Sequence, residues 1–207
     1  MTFNYKNVYI NNTATITGPY EAKGPLSKYF DKSYNDLYFD EKTWELAESK
    51  MITESVDLLL NKVNKTRFDI DVYISGDLLN QIVASNYAAV NLGIPYIGIY
   101  GACSTSVLGL IIASNMLDAN QVKSCITSTS SHNNAAEKQF RYPVEYGGPK
   151  PKTTTFTSTG AASAYLSNSK SGIKVESATL GTVLDSGIKE YTSAVNKITN
   201  GYSKVLI

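Results

Sequence analysis

The stretch Ile94-Pro95-Tyr96-Ile97-Gly98-Ile99-Tyr100-Gly101-Ala102-Cys103-Ser104-Thr105-Ser106 passes from an apolar, β-prone segment into a turn of small and hydroxyl residues. Beyond it Val107, Leu108, Leu110, Ile111, Ile112, Ala113 and Met116 leave no polar face on the next helical segment. A helix that is hydrophobic all round belongs inside a domain. The pattern predicts a strand over 94–100, a break at Gly101 and a buried helix over 104–117. A turn of this kind holds its residues at the carboxyl end of a strand, where open α/β sheets bind ligands. A thiol at Cys103 would lie near the positive end of the helix, which favours the thiolate and suits a carboxylate ligand. An isolated cysteine is more often a small buried packing residue. The flanking hydroxyls and the buried helix reverse that preference here.

The same grammar extends upstream. Asp71-Val72-Tyr73-Ile74-Ser75 is short and β-branched, and it ends at Gly76-Asp77. It reads as a strand feeding a helix over 78–91 that is closed by Gly93. Before it, Trp44, Ala47, Met51, Ile52, Val56, Leu59 and Val63 recur near the helical period. They predict a helix over 42–63 with Asp40 as its N-cap. Strand segments are expected at 7–10 and 13–16. Downstream, 123–128 reads as a strand, 130–155 as a long polar loop of the kind that carries function, and 161–166 with 173–182 as a hairpin. Strands alternating with helices indicate a mostly parallel sheet with crossover helices.

Composition narrows the field. The 207 residues suffice for one large domain, and the formal net charge of +1 with scattered Lys and Arg implies no nucleic-acid partner. The N-terminus lacks a basic region followed by an apolar one, and no apolar run approaches bilayer-spanning length, so an intracellular protein is expected. Cys103 and Cys125 are the two cysteines and His132 the one histidine. Neither a disulfide framework nor a metal site is suggested, and no cofactor is implied. Cys125, in mid-strand, reads as an inert core residue.

Several longer motifs carry a resemblance. They include Gly24-Pro25-Leu26, Gly76-Asp77-Leu78-Leu79-Asn80-Gln81, Gly101 to Ser106, Ser130-Ser131-His132-Asn133, Ala136-Glu137-Lys138-Gln139-Phe140-Arg141-Tyr142-Pro143 and Glu145-Tyr146-Gly147-Gly148. The cysteine turn is similar to the nucleophile turn of thiolase-fold condensing enzymes. Over residues 7–188 the chain resembles the stage V sporulation protein AD family of endospore formers. The resemblance implies an α/β fold, one thiolase-like half over 1–188 with a divergent tail over 189–207. That half is a mostly parallel five-stranded mixed sheet with helices on both faces and a buried helix after Cys103. It further implies a non-catalytic protein that binds dipicolinic acid, a pyridine dicarboxylate, for uptake into the developing spore. Membrane proteins of sporulation are the implied partners, and the inner spore membrane the implied peripheral location. Asp77, Cys103, Ser130, Ser131 and His132 match the implied pocket.

The resemblance covers what looks like the first half of such a fold, whereas in thiolase-fold enzymes the activating histidines come from the second. The buried helix is therefore expected to show an uncovered apolar face that calls for a second half or a second copy.

Residue chemistry leaves each position open between structure and function. Asp77 suits a helix N-cap, and facing a dicarboxylate it would need a proton or a calcium ion between the two. His132 is the one candidate general base, and also a loop residue able to bond its own backbone. Lys138 and Arg141 offer the cations a dicarboxylate needs, or are solvated charges. Two other functions stay in view: acyl transfer with Cys103 as nucleophile and His132 as base, and a structural subunit of an assembly.

Overall fold

In Val72-Tyr73-Ile74-Ser75 neighbouring side chains point to opposite sides of a strand, and every one of them is buried. Val72 and Ile74 enter one apolar cluster and Tyr73 the other. The adjacent strand repeats the division: Cys125 pairs with Val72 and lies on its side, while Ile126 pairs with Tyr73. Strands apolar on both faces are what a sheet between two helix layers requires.

A computed structural model describes residues 1–140, 157–182 and 204–206. Its strands are β1 (Thr2–Asn4), β2 (Tyr9–Thr17), β3 (Lys32–Ser33), β4 (Val72–Gly76), β5 (Tyr96–Gly98), β6 (Ser124–Ser131), β7 (Gly160–Ser167), β8 (Ile173–Lys174), β9 (Ser177–Thr179) and β10 (Lys204–Leu206). Its α-helices are α1 (Trp44–Lys62), α2 (Val83–Leu92), α3 (Thr105–Asp118) and α4 (Asn133–Phe140).

The main sheet runs β3-β2-β7-β6-β4-β5, with β8 also on the edge of β2. Strands β4, β5 and β6 are parallel, and β7 runs antiparallel between β6 and β2. The expected five strands are therefore present as β5-β4-β6-β7-β2, and the two-residue strands β3 and β8 bring the total to seven. Helices α1 and α2 cover one face and α3 the other. A separate antiparallel sheet, β1-β9-β10, joins the N-terminus to the strand at 177–179.

Several expectations need correction. The segments at 7–10 and 13–16 form one strand, β2, with an irregularity between Ile10 and Asn12. Phe39 and Asp40 both have positive φ, so Asp40 occupies a turn, and Thr43 caps α1 by accepting a hydrogen bond from the Leu46 N–H at 3.2 Å. The helix expected from residue 78 begins only at Val83, because Gln81 and Ile82 are left-handed and break helical propagation. Gly93 ends it in the left-handed conformation, as its position suggests. The segments at 161–166 and 173–182 form no hairpin: β8 pairs with β2, and β9 leaves for the small sheet. The polar excursion after β6 begins as a helix, α4, which carries Lys138, and Arg141 lies outside the described residues.

Helix α3 lies on β6 and β4 through Ile111, Ala113 and Leu117, all buried. Val107, Leu108, Leu110 and Ile112 are only half-buried, so its other side is partly open. Cys125 is fully buried, and burial, reinforced by the charge of Asp71, pushes its thiol pKa up to about 12. It is a core residue, as read from the sequence.

Candidate functional site

The parallel strands β4 and β6 end on the same side of the sheet, and the chain leaves them into turns that build one groove. Its walls are Thr15 to Thr17 of β2, Leu78 after β4, Ala102, Cys103 and Ser106 of the turn into α3, Thr129 to Ser131 of β6, and the start of β7. The groove encloses about 430 Å³. No charged side chain stands among its described lining residues, and serines and threonines alternate there with apolar residues such as Ile16, Phe30 and Leu78.

The cysteine turn is held from within. Ala102 has φ +46°, a left-handed conformation unusual for a residue with a Cβ. The Ser104 hydroxyl donates to the Gly101 carbonyl at 2.7 Å and the Thr105 hydroxyl to the Ala102 carbonyl at 2.8 Å. The Gly101 N–H donates back to the Thr105 oxygen at 3.1 Å. These small hydroxyl side chains satisfy a sharp turn that the backbone alone would leave unpaired. Cys103 is exposed on the groove side.

Of the residues singled out from the sequence, Cys103, Ser130 and Ser131 meet in the groove. The Ser131 hydroxyl donates to the Ser158 carbonyl at 2.6 Å, tying β6 to the opposite wall. Asp77 and His132 stand behind the wall. Asp77 is buried and accepts from the Leu79 N–H at 2.8 Å and the Ser85 N–H at 2.7 Å. Ile82, the residue preceding α2, supplies no side-chain cap, so Asp77 caps the helix from outside its own sequence. Burial raises the pKa of Asp77, while the bonds from Ser85 and Leu79 oppose that shift.

His132 is fully buried. Its Nε2 donates to the Leu37 carbonyl at 2.7 Å, and its Nδ1 accepts from the Ala135 N–H at 3.4 Å. It thus caps α4 while its ring packs edge-on to Phe39. Burial lowers its pKa and keeps the ring neutral.

Sequence reading missed Glu48, although the signal was present: a carboxylate between Ala47 and Met51 on the apolar side of α1. Glu48 is fully buried, and the Ser130 hydroxyl lies 2.8 Å from its Oε1. Among the described residues its Oε2 has no hydrogen-bond partner. Burial first, then the negative charge of Asp77, pushes its pKa up to about 8. Nearby a hydroxyl chain crosses the core, with Tyr73 bonded to Ser128, Ser128 to Ser75 and Ser75 to Ser85. That chain explains why β6 can be serine-rich and still be buried.

A family model described as stage V sporulation protein AD matches residues 1–198. The chain belongs to the stage V sporulation protein AD family. The member of this family from Bacillus subtilis (strain 168) is 44% identical over 183 residues, covering 88% of this chain and 54% of the relative. The chain thus spans about half the length of that curated family member. Among solved structures, a single-residue variant of Xanthomonas campestris OleA bound with cerulenin matches with a TM-score of 0.52 at 19% identity, over 80% of this chain and 58% of that one. A second OleA variant from the same organism matches with a TM-score of 0.51 at 19% identity, over 79% and 57%. These likenesses establish a thiolase-like fold for this chain. No helix of its described residues is long and apolar enough to cross a membrane.

Proposed function

We propose that this chain supplies one side of a non-catalytic pocket for dipicolinic acid in spore formation. Family membership points to sporulation, and the groove supports a binding role. The observation that carries this reading is the separation of Cys103 from His132. The thiol faces the groove, while both imidazole nitrogens are engaged behind it with Leu37 and Ala135. A nucleophile needs a base within hydrogen-bond reach, and His132 is committed elsewhere.

The groove lining favours a ligand that brings little net charge. Dipicolinate carries two carboxylates, and its calcium complex neutralises them with hard oxygen and nitrogen donors to the metal. The Ser106 hydroxyl suits an outer carboxylate oxygen of such a complex, whereas Ser130 and Ser131 direct their protons to Glu48 and the Ser158 carbonyl and would have to release them to take part. Lys138 on α4 and Arg141 beyond it are the candidates to compensate metal-free dipicolinate. The half-buried side of α3 supports docking of a second thiolase-like half or a second copy. Membrane proteins of sporulation are the proposed further partners, with the chain peripheral at the inner spore membrane.

Isothermal titration with dipicolinic acid, with and without calcium, tests this reading. Saturable binding, stronger with calcium, is expected. A folded protein that takes up neither form overturns it. A covalent adduct on Cys103 after incubation with an acyl-CoA, seen by intact mass, would instead favour acyl transfer.

A further inference from the structure

Strand β9 is the middle strand of the small sheet, and its two edges are filled from opposite ends of the chain, by β1 on one side and β10 on the other. In an antiparallel pair the N–H and C=O of a residue point to the same neighbour, and successive residues alternate between neighbours. Bonds on the β1 side fix that direction here. The Glu176 carbonyl accepts from the Tyr5 N–H at 2.9 Å, and Leu180 exchanges both backbone bonds with Met1, at 2.9 and 3.1 Å. Ala178, two residues from each, faces β1 as well and pairs with Phe3. Ser177 and Thr179 therefore present their N–H and C=O groups to the other edge, where they lie opposite Leu206 and Lys204. Val205 lies opposite Ala178, so its own N–H and C=O point outward, away from β9.

Without β10 the backbone groups of Ser177 and Thr179 would have no partner in the sheet. An edge of that kind is a template for another strand. Its surroundings are apolar. Ala178 belongs to, and Phe3 packs against, the cluster that holds Ile111 and Leu117 of α3, and β10 itself lies alongside α3. The filling strand lies beyond the residues that match the family model, which end at 198.

We propose that the outer edge of β9 is a strand-acceptor site, which residues 204–206 close from within the chain and which, once they leave, takes the same segment of a second copy. The occupant follows from what is seated there: the Lys-Val-Leu segment already meets Thr179 and Ser177 in register. A second copy carries the identical segment, so exchange replaces each bond by the same bond and needs no new complementarity. The inference is independent of the ligand read for the groove, whose described lining includes no residue of β1, β9 or β10.

The experiment is residue-resolved amide hydrogen exchange on the full 207-residue chain, in wild type, Val205→Pro and the double variant Lys204→Pro with Leu206→Pro. Proline removes an N–H donor. Lys204 and Leu206 donate toward β9, whereas the Val205 N–H points outward, where an edge strand tolerates proline. In wild type the Ser177 and Thr179 amides should be protected. In the double variant they should exchange at least about tenfold faster, the worth of one hydrogen bond each, while the Ala178 amide keeps its protection from β1. Val205→Pro should resemble wild type. A synthetic peptide of residues 200–207, Asn-Gly-Tyr-Ser-Lys-Val-Leu-Ile, added in excess to the double variant, should restore the lost protection. Unprotected Ser177 and Thr179 amides in wild type, equal effects of Val205→Pro and the double variant, or a double variant that the peptide leaves unprotected would each overturn the inference. A scrambled peptide that restores protection equally well would overturn the choice of occupant.

Discussion

His132 and Leu37, 95 residues apart in sequence, are joined by a 2.7 Å hydrogen bond from the imidazole Nε2 to the backbone carbonyl. The bond ties the loop before α1 to the end of β6 and leaves Nδ1 to cap α4. A protonated ring would lose Nδ1 as an acceptor and place a charge among buried side chains.

The folded pKa of His132 therefore lies below the unfolded one near 6.5. With that sign, the unfolded chain binds the proton first, and stability is lost as pH falls below about 6.5. The loss should approach about 1.4 kcal/mol per pH unit until the folded pKa is reached. Urea denaturation of wild type and His132→Asn at pH 7 and pH 5.5 measures it as a difference, since Glu48 contributes the opposite slope over the same range. Because the chain has one histidine, His132→Asn should remove this part of the slope while lowering stability at pH 7 by about 1–2 kcal/mol.

Glu48 works in the opposite direction. Its folded pKa of about 8 exceeds the unfolded glutamate value near 4.3. The folded chain keeps a proton that the unfolded chain releases, so stability declines as pH rises from the unfolded value and levels off above about 8. Between about pH 7 and 8 His132 is mostly neutral in both states, and the Glu48 contribution outweighs its own. Glu48→Gln should flatten the decline in that window and gain on the order of 1–3 kcal/mol at pH 8. A variant as steeply pH-dependent as wild type would show that the proton resides elsewhere.

Asp77→Ala should cost about 2–4 kcal/mol, since it strands the Leu79 and Ser85 N–H groups in the interior. Asp77→Asn keeps one acceptor and should cost less. It also removes the negative charge that raises the Glu48 pKa, so the Glu48 midpoint should fall. Thermal unfolding reads the first effect and an infrared titration of the Glu48 carboxyl the second. An unchanged Glu48 midpoint in a folded Asp77→Asn protein would mean the two acids are not coupled.

The strands and the cysteine turn were legible because local patterns specify them: the apolar run at 94–100, the hydroxyls around Cys103, the left-handed Gly93. What escaped depends on contacts distant in sequence. Thr43 displaces Asp40 as cap because Phe39 and Asp40 turn left-handed to bring Phe39 under Tyr34. Strand β8 pairs with β2 because the edge of β2 lies open at Tyr9 and Ile10, a fact that no window around residue 173 contains. Asp77 was legible as a cap, yet not that it reaches past two left-handed residues to Ser85. Glu48 interrupts an apolar stripe, and only its burial distinguishes it from a solvated glutamate.

Gly76 and Gly93 give the fold's sharpest paired test, since they are glycines for different reasons. A Cβ on Gly76 would lie 2.0 Å from the Ile99 carbonyl oxygen and 2.8 Å from Thr105 Cγ2, with backbone fixed on the first side. Ile99 cannot withdraw freely, because its N–H donates to the Ser75 carbonyl at 2.9 Å. A Cβ on Gly93 meets nothing within 4 Å, and its cost is the left-handed φ of +66° alone. Gly93→Ala should therefore lower stability by about 1 kcal/mol and leave the groove intact. Gly76→Ala should cost about 3 kcal/mol or more, by forcing β4 and Ile99 apart. Thermal denaturation compares the two, and alkylation of Cys103 reports on the turn. Equal costs at the two positions would mean that the end of β4 and the Ile99 carbonyl are not held in contact, and the wall that presents Cys103 would then lack the rigidity ascribed to it.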